Sequence, residues 1–364
     1  MKSEVTNYLR PEMTMVKGYA ACKSPDVVAK KLGIPESAIV KLDANENNYG
    51  PSPRVATAIK EAQGFHIYPD AAQTEMRFLL AQYAGKSAEQ IVLGAGSDQL
   101  IELLIKLFAA PGEEIICMSP TFPMYRFYAD LAGVTTVDVP RDESFLINVT
   151  KIAQAVNSKT KLVFLANPNN PTGTMTERKE IIELAKIGVP LVVDEAYFEF
   201  TGESAIDLMN EFGNIMILRT FSKWSGLAGL RIGYGVFPHS VAKCLHAIRD
   251  PYNVNVAALI AAKESLLDLD YLLANVRRIN NERERMLSLL TSFKWIKAYP
   301  SKANFILCDL LKGSAREVQQ LLEDRGILVR CYADARIKNA IRFSIGRPEE
   351  DDKLLRALED VGRE

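Results

Sequence analysis

Lys223 lies in TFSKWSGLAGLRIGYG (residues 220–235), a lysine among small hydroxyl residues directly after an apolar run. A confined, partly desolvated lysine favours its neutral amine, the form that attacks an aldehyde, and the nearby cation Arg231 lowers its proton affinity further. Ser222 and Arg231 add a hydroxyl and a planar fork that suit a phosphate monoester. In VPLVVDEAYFEF (189–200), Asp194 ends a second apolar run and Tyr197 follows three residues later. A carboxylate in that place is costly to bury unless it meets a cation.

Two further windows belong with these. LANPNNPTG (165–173) is an apolar run entering a turn dense in Asn and Pro, and IVLGAGSDQLIELLIKLF (91–108) joins a strand to a helix through a glycine turn, which aims free amides at an anion. Singly, each has a plainer meaning: a surface lysine in a Gly-rich turn, a turn shaped by Asn and Pro, or a simple strand-to-helix connection. Asn170, Asp194 and Lys223, each after its own apolar run, make coincidence hard to defend. A protonated pyridine nitrogen, such as that of pyridoxal phosphate, is a cation that would satisfy Asp194, and a ring kept protonated is an electron sink for a carbanion. An NTPase would also end a strand in Asp-Glu, but its phosphate loop is missing: the one candidate, Gly85-Lys86-Ser87, has Leu80 where the first glycine belongs. A dinucleotide fingerprint fails too, because Gln99 stands at the third glycine of GxGxxG.

The elements that must position these groups follow from the hydrophobic pattern. Short apolar runs at Ile91–Leu93, Lys161–Ala166, Val189–Val193 and Ile215–Leu218 alternate with amphipathic stretches, which predicts an α/β domain with a mainly parallel sheet. In such sheets ligands gather at the carboxyl ends of the strands. YLLANVRRINNERERMLSLLTSF (271–293) predicts one long charged helix, and SKANFILCDL and NAIRFSIG predict strands around a further helix. The expected organisation is an N-terminal segment, 1–45, packing on the small domain, a large domain, 46–270, and a small C-terminal domain, 271–364.

Composition narrows the function classes. Lys plus Arg number 44 against 45 Asp plus Glu, so no basic footprint for nucleic acid or an anionic membrane exists. No apolar stretch approaches a membrane span and the N-terminus has no secretory pattern, from which a cytoplasmic location is expected. Cys22, Cys117, Cys244, Cys308 and Cys331 are scattered without a CxxC pair, and His66, His239 and His246 lack metal-site spacing, so no metal is expected.

In order and together, these windows resemble the fold-type I aminotransferases of the class II pyridoxal-phosphate-dependent family, in particular their histidinol-phosphate branch. The likeness covers nearly the whole chain. It includes KLDANENNYGPSP (41–53), YPD (68–70), GAGSD (94–98), PTFPMY (120–125), NPNNPTG, DEAYFEF, SKWSGLAGLRIG and LVRCYADARIKNAIRFSIGRPEE (328–350). It departs at Asn48, Gln99 and Thr220, none of them a reacting group.

The resemblance implies an α/β fold with a large domain, its mainly parallel sheet flanked by helices, and a smaller α+β domain. It implies pyridoxal 5'-phosphate as cofactor, Lys223 as the Schiff-base lysine and proton carrier, and Asp194 at the pyridine nitrogen. Tyr197 and Asn170 would bond the ring oxygen and Phe122 would stack on the ring. Thr220, Ser222, Arg231 and the amides of Ser97 and Asp98 would hold the phosphate, joined by Tyr68 from the other subunit of a homodimer. Arg330 and Arg342 would bind substrate anions, with Tyr19 and Asn45 lining the pocket. The implied reaction moves an amino group between L-histidinol phosphate and 2-oxoglutarate, giving imidazole-acetol phosphate and L-glutamate, in histidine biosynthesis. The alternatives are an aromatic amino-acid aminotransferase of the same branch, the threonine-phosphate decarboxylase related to it, and a non-catalytic cofactor-binding module. The last usually carries a DNA-binding domain for which this chain has neither the length nor the charge.

Overall fold

The computed structural model describes residues 5–9, 13, 18 and 21–363. Its centre is a seven-stranded sheet: β1 (Ile91–Gly94), β2 (Glu114–Cys117), β3 (Thr135–Asp138), β4 (Thr160–Ala166), β5 (Leu191–Asp194), β6 (Ile215–Thr220) and β7 (Gly233–Val236). The order is β1-β7-β6-β5-β4-β2-β3, and β7 alone runs against its neighbours. Because β4, β5 and β6 are parallel, with Ala166, Asp194 and Leu218 in register, their carboxyl ends open on one edge.

The apolar runs are continuous because both faces of the sheet are covered. Val163, Leu165, Val193 and Ile217 enter one buried cluster, and Leu162, Phe164, Val192 and Leu218 the other. Helix α1 (Ser97–Phe108) and helix α2 (Met124–Ala132) pack on the second face, contributing Leu100, Ile101, Leu104, Tyr125 and Ala129. The strand expected at Val189 begins two residues later, at Leu191. Pro190 has no N–H for the ladder and offers only its carbonyl, which accepts from Val163 N.

Beyond the sheet, helix α3 (Leu269–Leu290) begins two residues before and ends three before the span read from the sequence, and buries Leu272, Val276, Ile279 and Met286 along one side. A second, antiparallel sheet follows, made of β8 (Ile296–Ala298), β9 (Phe305–Leu310), β10 (Arg330–Cys331) and β11 (Ala340–Ser344) in the order β10-β11-β9-β8. Helices α4 (Ala315–Glu323) and α5 (Pro348–Val361) accompany it. Residues 40–45 join this part of the molecule: Val40 and Lys41 pair in parallel with Ile327 and Leu328, and Asn45 N donates to Ser344 Oγ at 2.8 Å. Among the described residues no helix is long and apolar enough to cross a membrane.

Candidate active site

The turn from β1 to α1 and the loop after β6 face each other closely enough that only glycine fits between them. A Cβ on Gly96 would stand 2.5 Å from Arg231 Nη2, and one on Gly233 would stand 2.5 Å from Ser97 N. Ser97 and Asp98 open α1, so their amides have no partner within the helix and point out of its N-terminus. Arg231 Nη2 donates to Asp98 Oδ2 at 2.9 Å, its Nη1 reaches Ser222 Oγ at 3.5 Å, and Thr220 Oγ1 donates to Ser222 Oγ at 2.9 Å. Hydroxyls, free amides and a guanidinium thus converge on one spot. That donor set suits a phosphate monoester.

Asp194 ends β5 and is buried. Its Oδ2 accepts from Tyr125 Oη at 2.6 Å and its Oδ1 from Ala196 N at 3.1 Å. Burial pushes its carboxyl up to about 6, against the lowering pull of the Tyr125 hydrogen bond. Tyr197, three residues on, accepts from Asn45 Nδ2 at 2.9 Å, and burial holds its phenol well above the usual range.

Lys223 Nζ donates to Ala44 O at 3.0 Å. Burial lowers its pKa to about 8, and Arg342 is the next cause. Arg231, eight residues on in the sequence and expected to be the depressing cation, contributes less than Arg342, which arrives from the second sheet. Arg342 Nη1 donates to Asn170 Oδ1 and Nη2 to Asp43 O, both at 2.7 Å, while its buried Nε has no partner among the described residues.

One cavity of about 250 Å³ collects Asn45, Ser97, Asp98, Phe122, Asn170, Asp194, Tyr197, Thr220, Ser222, Lys223, Arg231 and Arg342. Beside it a larger recess of about 910 Å³ shares Phe122, Asn170 and Arg342, and adds Arg330, Arg316 and Tyr332. Arg330 therefore lies in the approach, not in the inner cavity. It stands directly across the β10–β11 ladder from Arg342 and donates to Cys22 Sγ at 3.3 Å. Tyr68 is on the outer surface, 76% exposed and stacked on Tyr252 at 4.3 Å. Tyr19 lies outside the described residues. Tyr125 and Cys22 also line the inner cavity, and the sequence does not single them out; PTFPMY contains Tyr125, but no local pattern ties it to Asp194.

The residues present fit pyridoxal phosphate. They offer a phosphate cradle too tight for a Cβ, a buried carboxylate and a partly neutral amine around a cavity wide enough for one aromatic ring. Fold and site together define an α/β enzyme in which an amine nucleophile faces an anion cradle at the strand ends of a mainly parallel sheet. The chain belongs to the family described as aminotransferase class I and II, whose model matches residues 37–358. It is 51% identical over the full length of both chains to a histidinol-phosphate aminotransferase of Dehalococcoides mccartyi. It is 45% identical to that of Roseiflexus castenholzii, across 99% of this chain and 100% of the relative. The crystal structure of the histidinol-phosphate aminotransferase from Sinorhizobium meliloti in complex with pyridoxal-5'-phosphate superposes with a TM-score of 0.89 at 28% identity, covering 100% of this chain and 99% of that one.

Proposed function

We propose that this protein transfers the amino group of L-histidinol phosphate to 2-oxoglutarate, yielding imidazole-acetol phosphate and L-glutamate in histidine biosynthesis in the cytoplasm. The carrying observation is the pair Arg330 and Arg342, set opposite each other across a two-stranded ladder. Like charges in that relation repel, and a doubly charged anion between them removes the repulsion. A phosphate and a carboxylate can each be gripped by such forks. Relatives spanning the whole chain bear the corresponding name.

Pyridoxal 5'-phosphate, when bound, supplies an aldehyde that takes up the donor's amino group and a ring that draws electrons from the amine-bearing carbon. Thr220, Ser222, Arg231 and the amides of Ser97 and Asp98 would hold its phosphate, and Phe122 would cover the ring. Tyr197 and Asn170 would bond the ring oxygen. Asp194 would keep a proton on the ring nitrogen. Lys223, with its pKa near 8, reaches about half neutral at mildly alkaline pH, and its Nζ would take the proton from the amine-bearing carbon.

The working unit is a homodimer in which Tyr68 of a second copy reaches the phosphate. Tyr68, Phe65, Ile67 and Tyr252 form an exposed apolar surface, the kind a second copy covers. Lys223→Ala chains mixed with Tyr68→Phe chains should regain activity, because one of the two shared sites is then intact; a fully active monomer contradicts the shared site.

The test of the substrate is a steady-state comparison of donors. A charge-assisted bidentate contact contributes about 2–5 kcal/mol, so histidinol phosphate should exceed histidinol by roughly 30-fold to several thousand-fold in kcat/KM. Arg330→Gln should shrink that preference and spare the half-reaction with glutamate. Equal rates with histidinol and its phosphate, or better turnover of phenylalanine, overturn the assignment in favour of an aromatic aminotransferase.

A further inference from the structure

Tyr125 is the second residue of α2 and has no exposed surface. Its ring stacks on Phe164 at 4.8 Å with 16° between planes and meets Phe122 edge-on at 5.6 Å. Packed between a strand residue and the aromatic that borders the cavity, it has one orientation open to its hydroxyl, and that hydroxyl lies 2.6 Å from Asp194 Oδ2. Asp194 has no cation paired with it among the described residues; its charge is met by this phenol and by the Ala196 amide on the other oxygen.

We propose that Tyr125 is a positioning residue for Asp194: its hydroxyl fixes the carboxylate's rotamer and shares its charge, so that an ionised oxygen is presented to the ring nitrogen of the cofactor. The inference rests on Asp194 holding that nitrogen. Three observations support it. A carboxylate with one fixed donor on each oxygen cannot rotate without breaking a charge-assisted hydrogen bond. The phenol remains a donor throughout the working range, since burial and the neighbouring carboxylate hold it far above its usual value. Burial alone drives Asp194 toward the neutral form, which cannot answer a pyridinium, and Tyr125 is the first cause opposing that drift.

Tyr125→Phe deletes the hydroxyl and keeps both ring contacts. Holoenzyme dialysed against graded pyridoxal phosphate across pH 5–8 should show a dissociation constant raised about tenfold at neutral pH, the loss of one hydrogen bond to a charged group. The acid limb of cofactor affinity should also move to higher pH. Phe164→Leu, which disturbs the packing but keeps the hydroxyl, should leave that limb in place. In an Asp194→Asn background Tyr125→Phe should add little further loss, because the two act as one unit. An unmoved limb and wild-type affinity in Tyr125→Phe, beside a strong Asp194→Asn defect, overturn the positioning role alone. Equal losses from Tyr125→Phe in both backgrounds also overturn it, as pure packing. An Asp194→Asn protein that binds cofactor normally overturns the assignment of Asp194 itself and the inference with it.

Discussion

Arg219 and Arg342 are both buried guanidiniums, 3% and 6% exposed, yet their surroundings are opposite in kind. Arg219, near the end of β6, donates from Nε and Nη2 to Glu195 Oε2 at 3.0 and 2.9 Å, also bonds Ser204 Oγ, and lies 3.6 Å over the Phe198 ring. Arg342, on β11, donates to the neutral oxygens of Asn170 and Asp43 and lies 5.2 Å over the Phe305 ring, but among the described residues no carboxylate pairs with it. A buried charge is expensive unless it is paired. The paired arginine is scaffold: it ties Glu195 beside Asp194 to the strand that delivers Thr220 and Lys223. Under the proposed function, the one without a carboxylate partner would keep that place for an incoming anion.

The sharpest way to break this contrast is to remove each arginine and measure stability and activity separately. Arg219→Met strands Glu195 in the interior, and urea unfolding should show a loss of about 3–5 kcal/mol. Arg219→Met combined with Glu195→Met should recover most of it, since a buried pair exchanged for apolar side chains is often neutral. Next in size, Arg342→Gln should lower kcat/KM for both half-reactions by about 10²–10³, equivalent to ~3–4 kcal/mol, while changing unfolding free energy by less than ~1 kcal/mol. Large destabilisation by Arg342→Gln with mild kinetic loss would make it scaffold as well, and the contrast would fail.

The two ends of the cavity also differ in how much of them the sequence discloses. Asp194, Asn170, Thr220 and Lys223 sit at the ends of continuous apolar runs, so local pattern places them on one edge of a parallel sheet, where β4, β5 and β6 do deliver them. At the other end, proximity depends on long-range register. Nothing local says that Arg330 and Arg342 face each other, that Arg342 affects Lys223 more than Arg231 does, or that Tyr125 meets a carboxylate 69 residues away. Hydrophobic pattern locates the β5 start to within two residues, and the discrepancy at Val189 arises because hydrophobicity does not register the missing N–H of Pro190.

Lys223 extends the contrast to a second cation that has no carboxylate partner among the described residues, and it yields the smallest effect with a definite sign. Among the described residues its amine bonds the Ala44 carbonyl alone, and burial followed by the charge of Arg342 lowers its pKa from 10.5 to about 8. Between those values the unfolded chain binds more protons than the folded one. The stability of the cofactor-free protein must therefore rise with pH across that window on account of this group, and below the folded value the full cost of burying the charge remains. Lys223→Met removes the cost, so at pH 7 the cofactor-free variant should be more stable than the cofactor-free wild type by about 1–3 kcal/mol. That range follows from about 1.4 kcal/mol for each tenfold loss of proton affinity, with allowance for partial solvation. The gap should narrow when urea unfolding is repeated at a pH of about 9.5, inside the window where stability rises. With pyridoxal phosphate added the order should reverse, because only the wild type gains the linkage of covalent attachment. A Met variant that is less stable at pH 7, or a gap that does not respond to pH, would mean that Lys223 is held by favourable contacts like Arg219, and not kept at a cost for the reaction like Arg342.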